Sequence, residues 1–226
     1  MRGEEIEAGL DARGFHVLKG LVSETTCRAL SALYDGDAAY RSEVVMQRHG
    51  FGQGTYKYFA YPLPETVQRL RTALYPVLAP IANRWAERLG REVRYPLEHT
   101  AYLEACHAAG QTRPTPLLLR YRTGDYNRLH QDLYGALHCP LQAAVLLSTP
   151  GRDFTGGEFV LTEQTPRRQS RASVVPLGPG DAVIFPVDER PVTGANGDYR
   201  VKMRHGVSEL LSGERHTLGV IFHDAT

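Results

Sequence analysis

Cysteine is scarce: three residues, Cys27, Cys106 and Cys139, in a chain of 226. Their odd number, wide spacing and lack of a CxxC pair argue against a disulfide framework, a zinc knuckle or thiol catalysis, and point to reduced thiols in a cytoplasmic setting. Long apolar runs are also missing. Residues 141–147, the most apolar stretch near the middle, fall far short of the roughly 20 residues a membrane-spanning helix needs, so no membrane partner is expected. The first fourteen residues carry Glu4, Glu5, Glu7 and Asp11 and no apolar run, which resembles neither a signal peptide nor a transit peptide. A charge excess of either sign is absent: 26 Lys and Arg stand against 25 Asp and Glu, a formal +1. Without a global field to hold a polyanion, any basic surface must be local.

What remains is an ordinary globular composition, 42% hydrophobic and 23% charged, rich in turn formers with 22 Gly and 14 Pro. Disorder, collagen and coiled coil are excluded. The length suits one large domain, or a β-barrel with helical additions, rather than two full domains.

Along the chain, GFHVLKG (residues 14–20) reads as a short strand, and Ser23 caps a helix with Cys27, Leu30 and Leu33 at helical spacing. Residues 66–89 read as a longer helical region broken at Pro76 and Pro80. Between these helices lies RHGFGQGTYKYFAYPLP (residues 48–64), with three glycines and five aromatics but no clean period, expected as a hairpin or mobile loop. From about Pro116 the pattern changes to short runs between Gly, Pro and Asp turns: LLLRYR, LQAAVLLS, GGEFVLTEQ, SVVPL, DAVIFP and HTLGVIF. Such spacing predicts an antiparallel sandwich or barrel, mainly β with α, in which an N-terminal helical layer packs on a jelly roll. The Gly/Pro-containing stretch at residues 191–198 reads as turn-rich.

Chemistry concentrates in this second half. His130 and Asp132 are two apart on an extended segment, so their side chains share a face. His205 follows 75 residues later, where a jelly roll can return it to the same place. Two imidazoles and one carboxylate on one face, with open positions, suit a non-haem Fe(II) centre. Arg215 opens a strand on which Thr217, Gly219 and Ile221 share its face. Its guanidinium suits a carboxylate held by two parallel hydrogen bonds, the alternative being a structural salt bridge to an internal Asp or Glu.

With these residues in this order, the sequence resembles the 2-oxoglutarate and Fe(II)-dependent dioxygenase superfamily. GGEFVL (156–161) and GDAVIFP (180–186) resemble its recurrent strand segments. Through RHGFGQGTYKYFAYPLP, LLRYRTGDYNRLHQDLYG and FTGGEFVLTEQ, the whole chain resembles a bacterial family described as oxidatively demethylating damaged nucleic acid. The resemblance implies a double-stranded β-helix and a single oxygenase domain over residues 1–226. Within it, residues 1–110 would form a helical and lid region and 111–226 the metal-bearing jelly-roll core. It further implies Fe(II), 2-oxoglutarate and O2 as cofactors, with His130, Asp132 and His205 as metal ligands. Arg215, Tyr121 and Thr217 would surround the distal carboxylate of the cosubstrate. Tyr121 stands nine residues before His130, as in AlkB-type demethylases, but Leu119 replaces an asparagine and Ile221 a second arginine of that group.

The expected substrate is nucleic acid or a nucleotide. Arg48, His49, Tyr56 and Tyr58 would grip a flat base from a lid over the iron, as cationic and stacking groups do, or else tuck beneath a surface loop. Glu158, after the paired glycines, is expected to face the substrate mouth, and Asn127 and Tyr134 flank the ligand segment. Arg167, Arg168 and Arg171 form a second basic cluster, either phosphate-contacting or a solvated turn. Two rival readings are a small-metabolite hydroxylase, and a cupin-like metal-binding barrel without turnover.

Overall fold

The computed structural model describes residues 3–226. Its elements in order are helix α1 (Gly3–Arg13), strand β1 (His16–Leu18), α2 (Glu24–Ala32), β2 (Tyr40–Val45), a 3-10 turn (Met46–His49), β3 (Gly52–Gln53) and β4 (Thr55–Phe59). Then come α3 (Glu65–Arg88), α4 (His99–Ala108), β5 (Leu117–Arg122), β6 (Tyr126–His130), β7 (Leu141–Leu146), β8 (Phe154–Gly156) and β9 (Phe159–Gln164). The chain finishes with β10 (Arg171–Val175), β11 (Ala182–Pro186), β12 (Glu189–Gly194), β13 (Gly197–Val207) and β14 (Leu210–Val220).

Two antiparallel sheets face each other as a jelly roll. The large one runs β1-β11-β7-β14-β5-β4-β2 with β8 beside β14; the small one runs β10-β9-β13-β6-β3 with β12 beside β13. Side-chain alternation divides the large sheet into two faces. Leu141, Ala143 and Val145 of β7 and Leu218 and Val220 of β14 pack against Leu74, Tyr75, Leu78 and Trp85 of α3. The intervening residues face the small sheet, where Ala144 meets Phe159 and Phe185, and Leu146 meets Tyr121 and Phe154. One face therefore anchors the helical layer and the other encloses a cavity. Among the described residues no helix is long and apolar enough to cross a membrane.

Helix α2 starts where expected, with the Ser23 side chain accepting from the Thr26 amide. Three expectations are corrected. Helix α3 continues through Pro76 and Pro80; each proline removes an amide donor, but the apolar stripe buried on the large sheet holds the helix together. Residues 191–198 are not simply turn-rich: β12 and β13 form a hairpin with Pro191 opposite Arg200. A proline is tolerated there because β12 pairs on one side only. Nor are Tyr56 and Tyr58 on a mobile lid, since β4 pairs with β2 on one side and β5 on the other. The hairpin alternative is the one found, and β3 joins the small sheet by pairing with β6. Gly52 makes this approach possible: its φ is +139°, and a Cβ there would lie 2.3 Å from the Tyr126 carbonyl oxygen.

Candidate active site

Strand pairing brings the three predicted ligands together. His205 on β13 stands opposite His130 at the end of β6, their ring centroids 4.1 Å apart. Asp132 follows two residues later and closes the group. His130 Nε2 lies 3.4 Å from Asp132 Oδ1 and His205 Nε2 lies 3.2 Å from Asp132 Oδ2. One ligand atom from each residue falls within 4.8 Å of the others, a grouping able to hold a metal ion. His130 Nδ1 donates to the Arg128 carbonyl at 2.7 Å in the tautomer that leaves Nε2 free for a cation. Gln131 turns the other way and donates to Asp188 and the Met203 carbonyl, fixing the loop between the two ligands.

Both oxygens of Asp132 are engaged by side chains. Tyr134 Oη donates to Oδ1 at 2.8 Å, and Gln142 Nε2 donates to Oδ2 at 2.8 Å. Burial alone would raise this carboxyl, but the two imidazoles outweigh it and hold the group well below the usual carboxylate range. Burial pushes the His205 pKa down, and Phe159 and Phe185 flank its ring. Gln142 was missed by the sequence reading. The available signal was one amide inside LQAAVL, a strand whose every other residue is apolar and buried.

The cavity opening beside this group has a volume of ≈ 210 Å³ and reaches Arg215, Tyr121 and Thr217. Arg215 is opposite Tyr121 across the β14–β5 ladder and only 2% exposed. Its guanidinium donates to Thr217 Oγ1 at 2.6 Å and lies over the rings of Tyr121 and Phe154. Among the described residues no carboxylate pairs with it, so the salt-bridge alternative fails. Burial depresses its pKa to about 10. Arg215 Nε and Tyr121 Oη are both buried without hydrogen-bond partners. A buried cation and two unpartnered donors at a cavity floor suit a carboxylate. Gly157 makes room for it: at φ +63°, a Cβ would lie 2.4 Å from Leu210 and 3.1 Å from the Arg215 side chain.

The expected substrate residues divide. Tyr56, Asn127 and Tyr134 line the cavity, whereas Arg48, His49, Tyr58 and Glu158 do not. His49 reaches the mouth indirectly by stacking on Phe51, a lining residue, with ring centroids 5.3 Å apart. Arg48 is exposed beside it. Tyr58 is buried edge-on to Tyr56 and Tyr134, with the Arg41 guanidinium over its ring. Glu158 is exposed and accepts from Ser208. Arg167, Arg168 and Arg171 sit on exposed positions at and after the β9–β10 turn. His216 faces away from the cavity toward Tyr34, as its place next to Arg215 on a strand requires.

Fold and site together define a dioxygenase of the iron and 2-oxoglutarate superfamily. The Pseudomonas putida prolyl-4-hydroxylase structure superposes with a TM-score of 0.59 over 100% of both chains at 13% identity. A 2OG-Fe(II) oxygenase-family oxidoreductase from Burkholderia pseudomallei gives 0.56 over 98% of this chain and 90% of that one at 15% identity. These likenesses establish the fold. The family is narrower: one described as an oxygenase catalysing oxidative methylation of damaged DNA matches residues 54–225, and the chain belongs to it. Two Mycobacterium tuberculosis proteins, uncharacterized protein MT2286 (strain CDC 1551 / Oshkosh) and uncharacterized protein Rv2227 (strain ATCC 25618 / H37Rv), are 50% identical over 167 residues. The alignment spans 74% of this chain and 72% of each relative.

Proposed function

We propose that this oxygenase hydroxylates an alkyl substituent on a base in nucleic acid, with Fe(II), 2-oxoglutarate and O2 as cofactors. Hydroxylation of an N-methyl carbon leaves an unstable hydroxymethyl group that departs as formaldehyde, restoring the N–H. The observation that carries the cosubstrate is Arg215, a buried cation with no acidic partner at the floor of the cavity that begins at His130, Asp132 and His205. The free Nε and the idle Tyr121 hydroxyl fit the distal carboxylate of an oxo diacid.

Bound iron with its cosubstrates supplies the oxidising chemistry, coupling oxidative decarboxylation of 2-oxoglutarate to hydroxylation of a substrate C–H bond. His130, Asp132 and His205 would hold the metal. Tyr134 and Gln142 fix the rotation of Asp132 through their hydrogen bonds. Arg215 and Tyr121 seat the cosubstrate, and Thr217 aims the guanidinium. Leu119, Phe159 and Ile221 keep water from the reacting atoms. A nucleic-acid substrate is supported by the family's description and by the Phe51–His49 stack at the mouth. Three buried, unpaired thiols agree with a cytoplasmic setting. The competing reading, hydroxylation of a small metabolite, draws its support from the modest, apolar-walled cavity.

Anaerobic addition of Fe(II) and 2-oxoglutarate should give a visible charge-transfer band. Arg215→Ala should weaken 2-oxoglutarate binding at least tenfold while sparing metal affinity; equal loss of both would assign the arginine to folding instead. Succinate formation with methylated oligonucleotides against a metabolite panel decides between the two substrate readings.

A further inference from the structure

We propose that the bare outer face of the small sheet is a docking surface for the phosphate backbone of a nucleic-acid strand; this rests on the nucleic-acid reading above. On β13, Val201, Met203 and His205 are buried toward the interior, while Arg200, Lys202 and Arg204 alternate with them on the exposed side. Same-face residues on a strand repeat about every 6.8 Å, so the three cations form a row roughly 14 Å long. Arg128, also exposed, adds a fourth cation from the neighbouring strand β6, within the bulge that breaks its register with β13 between His130 and Asn127.

None of these four side chains has an acidic partner among the described residues. The contrast with the helical side is sharp, because Arg84, Arg88 and Arg91 are bound to Glu7, Asp198 and Glu189. Glu189 is the acid that register places opposite Lys202, and Arg91 already neutralises it. Across the sheet, the residues opposite Arg204 and Lys202 on β9 are Thr162 and Gln164, hydrogen-bonding groups without charge. The core of the helical layer packs on the large sheet, and Arg88 and Arg91 reach this face only at Asp198 and Glu189, short of the exposed Arg200, Lys202 and Arg204.

The row also leads to the mouth of the cavity. The Arg128 amide donates to the Phe51 carbonyl, its carbonyl accepts from His130, and exposed Arg48 follows just beyond. A phosphodiester strand laid along the row would deliver a neighbouring nucleotide to the Phe51–His49 stack. Repeated single charges at strand spacing, interleaved with neutral polar groups, match such a backbone. An anionic bilayer would attract the same cations, but insertion would add little, because this face offers only separated apolar residues such as Leu129 and Val174.

The test is fluorescence anisotropy of the full chain with a fluorescein-labelled single-stranded oligonucleotide over a series of salt concentrations. With three or four phosphates contacted on a single strand, log K against log salt should fall with a slope of about −2 to −3. The variant Arg200→Gln/Lys202→Gln/Arg204→Gln should bind at least tenfold more weakly with a slope shallower by about 2. Its melting temperature and its anaerobic Fe(II)–2-oxoglutarate band should be unchanged. Arg69→Gln, on the helical side, should bind like the parent. An unchanged affinity and slope in the triple variant would overturn the proposal, as would no binding by the parent at low salt, or row-dependent binding to phosphatidylserine vesicles in place of the oligonucleotide. A parent that shows the band but no oligonucleotide binding loses only the docking surface. One that binds oligonucleotide but forms no succinate with it loses only the substrate reading of the site.

Discussion

Asp132 shows how much of a metal centre resides in residues that would never touch the ion. Its two oxygens are held by Tyr134 and Gln142, so its rotation is set before a cation arrives. Loss of such an outer partner costs roughly 10- to 100-fold in metal affinity. Gln142→Leu keeps the size of the side chain and removes the donor, and should weaken Fe(II) or Mn(II) binding within that range by titration, with 2-oxoglutarate affinity of the metal-loaded protein little changed. A variant with the parent's metal affinity would reduce Gln142 to packing. His130, Asp132, His205 and Arg215 were legible in the sequence through strand period and separation, and Tyr121 through the family resemblance, by its place nine residues before His130. Gln142 was not legible as a partner of Asp132, because nothing local tells which strand will face the ligand loop.

Elements that form short runs between turn residues, as with β5, β7 and β11, or that show a clear helical period, as with α2, could be read from the chain. Those whose character depends on distant neighbours could not. Helix α4 has no side-chain hydrogen bond at its N-cap, and β4 hides its strand nature because both of its faces carry aromatic or long side chains. Strand β4 is enclosed by β2 and β5, so its backbone amides are committed to ladders on both sides. Hydrogen exchange should therefore find residues 55–59 protected to the level of β5, and far slower than the exposed turn at residues 165–170. Rapid exchange over 55–59 in the protein without cosubstrate would restore the mobile-lid expectation.

Across the whole molecule, the C-terminal segment is locked to the helical layer by buried polar groups, and this makes stability depend on pH. Arg71 of α3 donates to Asp224 at 2.7 Å, with neither side chain exposed. His99 Nε2 of α4 bonds the Phe222 carbonyl at 2.9 Å. Burial, aided by the Arg71 charge, lowers the His99 pKa to about 4, against about 6.5 in an unfolded chain. Between those values the unfolded chain binds the extra proton, so the contribution of His99 is complete above about pH 6.5 and is lost as pH falls toward 4. At about 1.4 kcal/mol per pKa unit, it amounts to roughly 3 kcal/mol over that window. Asp224 adds a second step: burial would raise its pKa, but Arg71 and its hydrogen-bond donors lower it overall. Its contribution is present above the ordinary carboxylate pKa of about 3.9 and disappears only as pH falls through the lower folded value. Urea unfolding at intervals from pH 7 to pH 4 should show stability declining, and His99→Gln should flatten that decline by about one proton. A slope identical to the parent's would mean that His99 is protonated inside the fold, and that burial beside Arg71 does not hold it neutral.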